Sequence, residues 1–309
     1  MTIRIMNSGQ FYPNQRDGAI SRALGDLRVT ALQETVQSLS FPRNYRAESS
    51  ENLRAADLIR SSFDDIGYTT AYVGSYKNVF AYTDACAGKR SVLVCAHFDS
   101  VPGCPAADDN ASAIAGQREL ARLAWNHFRN LPIAFIAVNR EEDGLLGSAQ
   151  FVDLVTKDRR FRFEEVYNLE MIGFASHEEG SQRFPPGLQL PGMSRGDFLA
   201  LVGNDHGHES LRALLQAGRD YAPELPIIGL HISGDPARAP RDLLRSDHAS
   251  FWDGGIHKAV QLTDTANFRN PNYHKLTDTP ETLNYDFMRD VTSVVFATIV
   301  TRAQSLKEG

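Results

Sequence analysis

The chain of 309 residues has only three cysteines, two tryptophans and five methionines. Cys86, Cys95 and Cys104 are too few for a disulfide framework, and one of them must stay unpaired within the chain. A reduced, cytoplasmic setting is the simplest reading. Long apolar runs are missing too: Ile133–Val138 and Val294–Val300 fall far short of the ~20 residues that span a bilayer. Residues 1–9 hold no apolar stretch of signal-peptide length and no cleavage pattern, so no export signal is expected. There is no basic excess, because 32 Lys and Arg stand against 38 Asp and Glu, a formal net charge of −6. That balance disfavours non-specific nucleic-acid binding. No nucleophile elbow or phosphate loop is present, which disfavours serine hydrolases and nucleotide enzymes.

What remains is the composition of an ordinary globular protein, 42% hydrophobic and 23% charged. A chain of this length buries roughly 75% of the surface its unfolded form exposes, enough for a full core without staples. Residues 1–309 read as one catalytic domain with an N-terminal arm of about 1–45.

Helical and strand patterns alternate. Leu53, Ala56, Ile59, Phe63 and Ile66 recur at helical spacing, and Gly67 supplies a stop. Ala71–Val73 and Val79–Tyr82 read as short strands, and Val92–Ala96 and Ile133–Val138 as buried ones. Ala111–Ala124 and Leu145–Val155 are predicted helices, Phe163–Met171 a strand, and Leu211–Ala217 a helix. Ile227–Leu230 and Ala259–Leu262 follow as strands, and Phe287–Ala303 as a closing helix. The expectation is a three-layer α/β/α sandwich around a central mixed, mostly parallel sheet. Two Pro-rich stretches resist the scheme. Phe174–Phe198 holds Pro185, Pro186, Pro191 and four glycines, and His231–Arg245 holds Pro236 and Pro240. Loops of this length in a compact domain are usually functional or disordered.

Polar groups gather where the apolar strands end. His97-Phe98-Asp99 follows one strand, with Asp108-Asp109-Asn110 soon after; Glu141-Glu142 follows the next. Asn168-Leu169-Glu170 ends a third, and Tyr273-His274 comes after the fourth. In open α/β sheets ligands bind beyond the carboxyl ends of strands. Taken singly, each cluster has a plain reading: a structural histidine, an N-cap, a solvated turn. Taken together, two histidines and several carboxylates at four strand ends suit a divalent metal, above all zinc.

These segments resemble the co-catalytic di-zinc aminopeptidase family, which includes bacterial leucine aminopeptidases, glutamate carboxypeptidase II and the single-zinc glutaminyl cyclases. The resemblance rests on His97-Phe98-Asp99, Ala107–Ser112, Glu141-Glu142 with Gly144-Leu145 and Gly147-Ser148, Ser246-Asp247-His248, and Tyr273-His274 with Asp278-Thr279. It implies that Asp109 bridges two zinc ions, that Glu142 and His274 complete one set of ligands, and that His97 and Glu170 complete the other. It further implies Glu141 as the general base toward water, Asp99 as the acceptor that fixes the His97 tautomer, and a cis peptide at Asp109–Asn110. Glu170 departs from the aspartate usual at its position. Tyr273 is a candidate oxyanion donor, with packing as the alternative. Asp247 is expected to support the site from behind. Arg245 and Arg269 are candidates for meeting a substrate carboxylate or lining the pocket, with ordinary ion pairs as the alternative.

The implied activity is hydrolysis of N-terminal residues from peptides, with a peptide or small amino-acid-derived substrate and neither nucleic acid nor membrane as partner. Alternatives on the same fold are a glutaminyl-cyclase-like or carboxypeptidase-like relative, or a catalytically inactive binding module. The two Pro-rich loops are expected to shape the substrate pocket.

Overall fold

The computed structural model of the chain describes residues 1–188, 190 and 192–308; Pro191, counted above among the loop prolines, lies outside them. The strands are β1 (Thr2–Asn7), β2 (Thr69–Val73), β3 (Asn78–Tyr82), β4 (Arg90–His97), β5 (Ile133–Val138), β6 (Arg162–Glu170), β7 (Leu199–Asn204), β8 (Ile227–Ser233) and β9 (Ala259–Thr263). The helices are α1 (Gly18–Gly25), α2 (Val29–Leu39), α3 (Ser49–Ile66), α4 (Ala113–Phe128), α5 (Leu146–Lys157), α6 (His208–Tyr221), α7 (His248–Asp253) and α8 (Tyr285–Glu308).

All nine strands join one mixed sheet in the order β1-β8-β7-β9-β6-β4-β5-β3-β2. Of its eight neighbouring pairs, four are parallel and four antiparallel. The parallel character expected to dominate is confined to the central strands β9-β6-β4-β5 and the β7–β8 pair. Helices cover both faces. Val92, Val94 and Ala96 of β4 pack into one core with α1, α3, α4, α6 and α8, while Leu93 and Cys95 pack into the other with α5 and α7. Successive strand residues point to opposite faces, so an unbroken apolar run marks a strand buried on both.

Residues of about 1–45, expected to be an arm, are built into this body. β1 pairs antiparallel with β8 as an edge strand. Asp17 caps α1 by accepting from Ala19 N and Ile20 N at 2.6 and 3.0 Å, and Ile20, Ala23, Leu32 and Val36 are buried. The short elements β7 and α7 were not foreseen. Gly67 ends α3 in the left-handed region at φ 117°, where its amide reaches back to Phe63 O and Asp64 O. A side chain there would also meet Trp125 at 2.4 Å.

Candidate metal centre

Parallel β4, β5, β6 and β9 all deliver their carboxyl ends to one edge of the sheet. His97 closes β4, Glu170 closes β6, and Glu141 and Glu142 follow β5. That loop is drawn tight by Gly147, where a Cβ would stand 1.8 Å from Asn139 O. Asp109 sits between β4 and α4 in a non-helical stretch, and α4 starts at Ala113 rather than Ala111. The Asp109–Asn110 peptide is cis.

Tertiary contacts fix these loops against one another. Asp278 accepts from the amides of Asp108 and Asp109 at 2.9 and 3.1 Å. The Asn110 side chain spans to β6, donating to Leu169 O at 3.0 Å and accepting from Met171 N at 2.9 Å. Asp99 accepts from the amides of Glu141 and Glu142 at 3.1 and 3.2 Å. The acceptor nearest His97 Nδ1 is therefore the main-chain oxygen of Asp99 at 3.2 Å, with the carboxylate at 3.5 Å. The Asp99 carboxylate expected to face His97 is thus within reach of Nδ1 while it also accepts from the loop after β5.

The result is two overlapping clusters. His97 Nε2 lies 3.2 Å from Asp109 Oδ1 and 3.5 Å from Glu170 Oε1. His274 Nε2 lies 3.1 Å from Asp109 Oδ2 and 3.3 Å from Glu142 Oε2. Asp109 thus turns one oxygen to each imidazole. The buried atoms His97 Nε2, Asp109 Oδ1 and Glu142 Oε1 have no hydrogen-bond partner among the described residues. Ligands bound tetrahedrally at 2.0–2.1 Å stand about 3.3 Å apart, and the spacings here match. The donor set of nitrogen and carboxylate oxygen also suits zinc.

The electrostatics agree. Burial pushes the Glu142 carboxyl up to about 7, with the nearby Asp109 charge adding to it. Burial also raises Glu141 well above the usual carboxyl range. For Asp109 burial acts upward, but the imidazoles of His274 and His97 hold it below its ordinary value. For His274 burial acts downward, yet Asp109 and Glu142 lift it to about 10. Crowded carboxylates of this kind need a cationic counter-charge.

Beside the clusters opens a cavity of about 450 Å³. Asp109, Glu141, Glu142, Glu170 and Tyr273 line one end, and Phe198, Ala200, Val202, Ile228 and Leu230 form an apolar floor. Both Pro-rich stretches contribute walls, through Gln182–Leu188 and Asp242–Arg245. The Tyr273 ring stacks on His274 with centroids 3.7 Å apart, and its hydroxyl accepts from Arg245 Nη2 at 3.0 Å. Burial raises that hydroxyl above the usual tyrosine range. Asp247 is fully buried, neither of its oxygens has a hydrogen-bond partner among the described residues, and burial pushes it up to about 7.

Arg269 does not meet the cavity. It is 3% exposed, donates to Gln182 Oε1 at 2.9 Å and Phe198 O at 2.7 Å, and lies over the Phe198 ring. A candidate for the substrate or an ion pair by sequence, Arg269 is instead a clasp on the Phe174–Phe198 loop. Arg43 carried no sequence signal, yet it is wholly buried and donates to the main-chain oxygens of Leu39, Phe41, Phe98, Pro105 and Ala106. Three of those lie on the loop between His97 and Asp109.

Comparison with known proteins adds the following. A family model described as Peptidase family M28 matches residues 78–299, which contain His97, Asp109, Glu142, Glu170 and His274. The chain is 32% identical to YfbL of Escherichia coli (strain K12), described as an uncharacterized protein, over 285 residues covering 84% of each chain. It is 28% identical to aminopeptidase YwaD of Bacillus subtilis (strain 168) over 226 residues, 70% of this chain but only 42% of that relative. The fold matches that of LapB from Legionella pneumophila at a TM-score of 0.73 and 22% identity, covering 94% of this chain and 76% of that one.

Proposed function

The chain belongs to peptidase family M28, and from that premise we propose that it is a zinc-dependent aminopeptidase releasing N-terminal residues from peptides. The observation that carries this reading is Asp109, one buried carboxylate divided between the imidazoles of His97 and His274. His97, Asp109 and Glu170 would hold one ion, and Asp109, Glu142 and His274 a second. Zinc bound there supplies Lewis acidity toward the scissile carbonyl and lowers the pKa of water toward neutrality.

The chain's own residues supply the proton chemistry and the positioning. Glu141 lines the cavity but belongs to neither cluster, so its carboxylate is free to act as general base. It takes a proton from the attacking water and passes it to the leaving amine as the C–N bond breaks. Tyr273 donates its hydroxyl proton to the oxygen of the scissile carbonyl as negative charge develops there. Arg245 donates to the Tyr273 oxygen, which leaves that proton free for the substrate. The apolar floor takes up the side chain of the N-terminal residue and excludes water from it.

Two clusters rather than one favour hydrolysis over single-zinc cyclisation. Two zinc ions per chain are expected by elemental analysis, and a single ion would turn the reading toward a cyclase. The direct test is a panel of aminoacyl-anilides and N-blocked peptides, with and without chelator. Anilides should be cleaved, blocked peptides spared, and chelator should abolish turnover. Cleavage of N-blocked peptides would contradict the reading.

A further inference from the structure

The cavity beside the clusters carries opposite charge at two places. Asp109, Glu141, Glu142 and Glu170 line it at the clusters, while two guanidinium groups, Arg183 and Arg245, line it from the surrounding loops, with Asp242 beside Arg245. Both converge on Asn267: Arg245 Nη1 donates to its Oδ1 at 3.0 Å, and Arg183 Nη2 to its main-chain oxygen at 2.8 Å. Among the described residues Arg183 makes no salt bridge. Arg245 has Asp242 at 3.4 Å, a pair with side chains 43% and 33% exposed, so solvent already screens it.

Arg245 also donates to the Tyr273 hydroxyl, the group assigned above to the scissile carbonyl. Its head therefore stands two hydrogen bonds from the reacting oxygen, with the Tyr273 hydroxyl between them. Successive Cα atoms of a peptide are about 3.8 Å apart, so an anion on the residue after the scissile bond falls within reach of this guanidinium. A planar guanidinium fork matches a carboxylate in shape and charge. The apolar floor gives no such counter-charge to an acidic side chain on the residue before the bond.

We propose, resting on the aminopeptidase reading, that Arg245 and Arg183 recognise a carboxylate on the residue following the scissile bond, which makes the preferred substrates dipeptides with a free C-terminus. The same chemistry could come from an acidic side chain at that residue, and the substrate arms below separate the two sources.

The experiment compares kcat/KM of the full zinc-loaded chain on Leu-Gly, Leu-Gly-amide and Leu-Asp-amide, with leucyl-anilide as control. Leu-Gly should exceed its amide by ~10–100-fold, the range of a charged hydrogen bond. In Arg245→Met and, separately, Arg183→Met, that ratio should fall toward one. Mere support of Tyr273 by Arg245 would lower both substrates together and leave the ratio unchanged. An advantage confined to Leu-Asp-amide would support the same recognition with a side chain as its source. Equal rates on all three peptides, or a ratio that neither variant moves, would overturn the proposal. Failure to cleave leucyl-anilide as well would instead sink the aminopeptidase reading, and if Arg245→Met does not fold, Arg183→Met and the wild-type ratio still decide.

Discussion

Replacing Arg43 should damage this protein more than any sequence pattern suggests. The side chain is fully buried and its guanidinium reaches five main-chain carbonyls, three on the loop that joins His97 to Asp109. Each such bond contributes about 1 kcal/mol net, and the Nη1 contacts to Leu39, Phe41 and Pro105 share two hydrogens, so Arg43→Met should cost about 4 kcal/mol. That is a large share of the 5–15 kcal/mol typical of a whole domain. Arg43→Lys keeps the charge but has three donors on one nitrogen and no fork. It should lose about 2–3 kcal/mol by the same count. The assay is urea unfolding followed by circular dichroism, run in chelator so that zinc binding adds nothing to the folded state. Zinc affinity, read by chelator competition, should weaken in the same order because the loop between two ligands loosens. If Arg43→Met stays within about 1 kcal/mol of wild type, the hydrogen-bond count is wrong as an account of this site.

Three other outcomes can be checked. Glu141→Gln should retain zinc while kcat falls by roughly 10²–10⁴; undiminished turnover would remove Glu141 as the base. His248 is neutral when folded, because burial pushes it down to about 4 while the unfolded chain titrates near 6.5. The unfolded state gains its proton first as pH falls, so stability present above pH 6.5 is lost toward pH 4, by about 2 kcal/mol at pH 5. His248→Gln should lack this component, so its deficit relative to wild type should shrink between pH 7 and pH 5 in urea unfolding. Arg302 donates to both oxygens of buried Glu165, which also accepts from Tyr167 Oη at 2.7 Å. Arg302→Met leaves that carboxylate without its cation and should lower stability by about 3–5 kcal/mol; a calorimetric melting temperature unchanged from wild type would refute the pairing.

The candidate site was legible because its residues sit at the ends of apolar strands. Val92–Ala96 and Ile133–Val138 announce their burial by composition, and parallel neighbours must send their carboxyl ends to one edge. Less was legible where local pattern is weak. β7 is six residues long and follows a Pro-rich loop, and β1 has the exposed Ile5 of an edge strand. Neither alternates cleanly, and each is a strand by virtue of its neighbours, β8 for β1 and both β8 and β9 for β7. The antiparallel pairs β1–β8 and β7–β9 were hidden for the same reason.

The sequence by itself determined the fold class, the family and the collection of residues that meet at the candidate site, because strand burial and side-chain chemistry are written locally. Only the tertiary structure decided how those residues divide their contacts. It turned one oxygen of Asp109 toward each imidazole, spent the Asp99 carboxylate on the amides of Glu141 and Glu142, withdrew Arg269 into a loop clasp and placed Arg245 on Tyr273. Such choices depend on which donor lies within about 3 Å of which acceptor, and that distance is set by segments far apart in the chain.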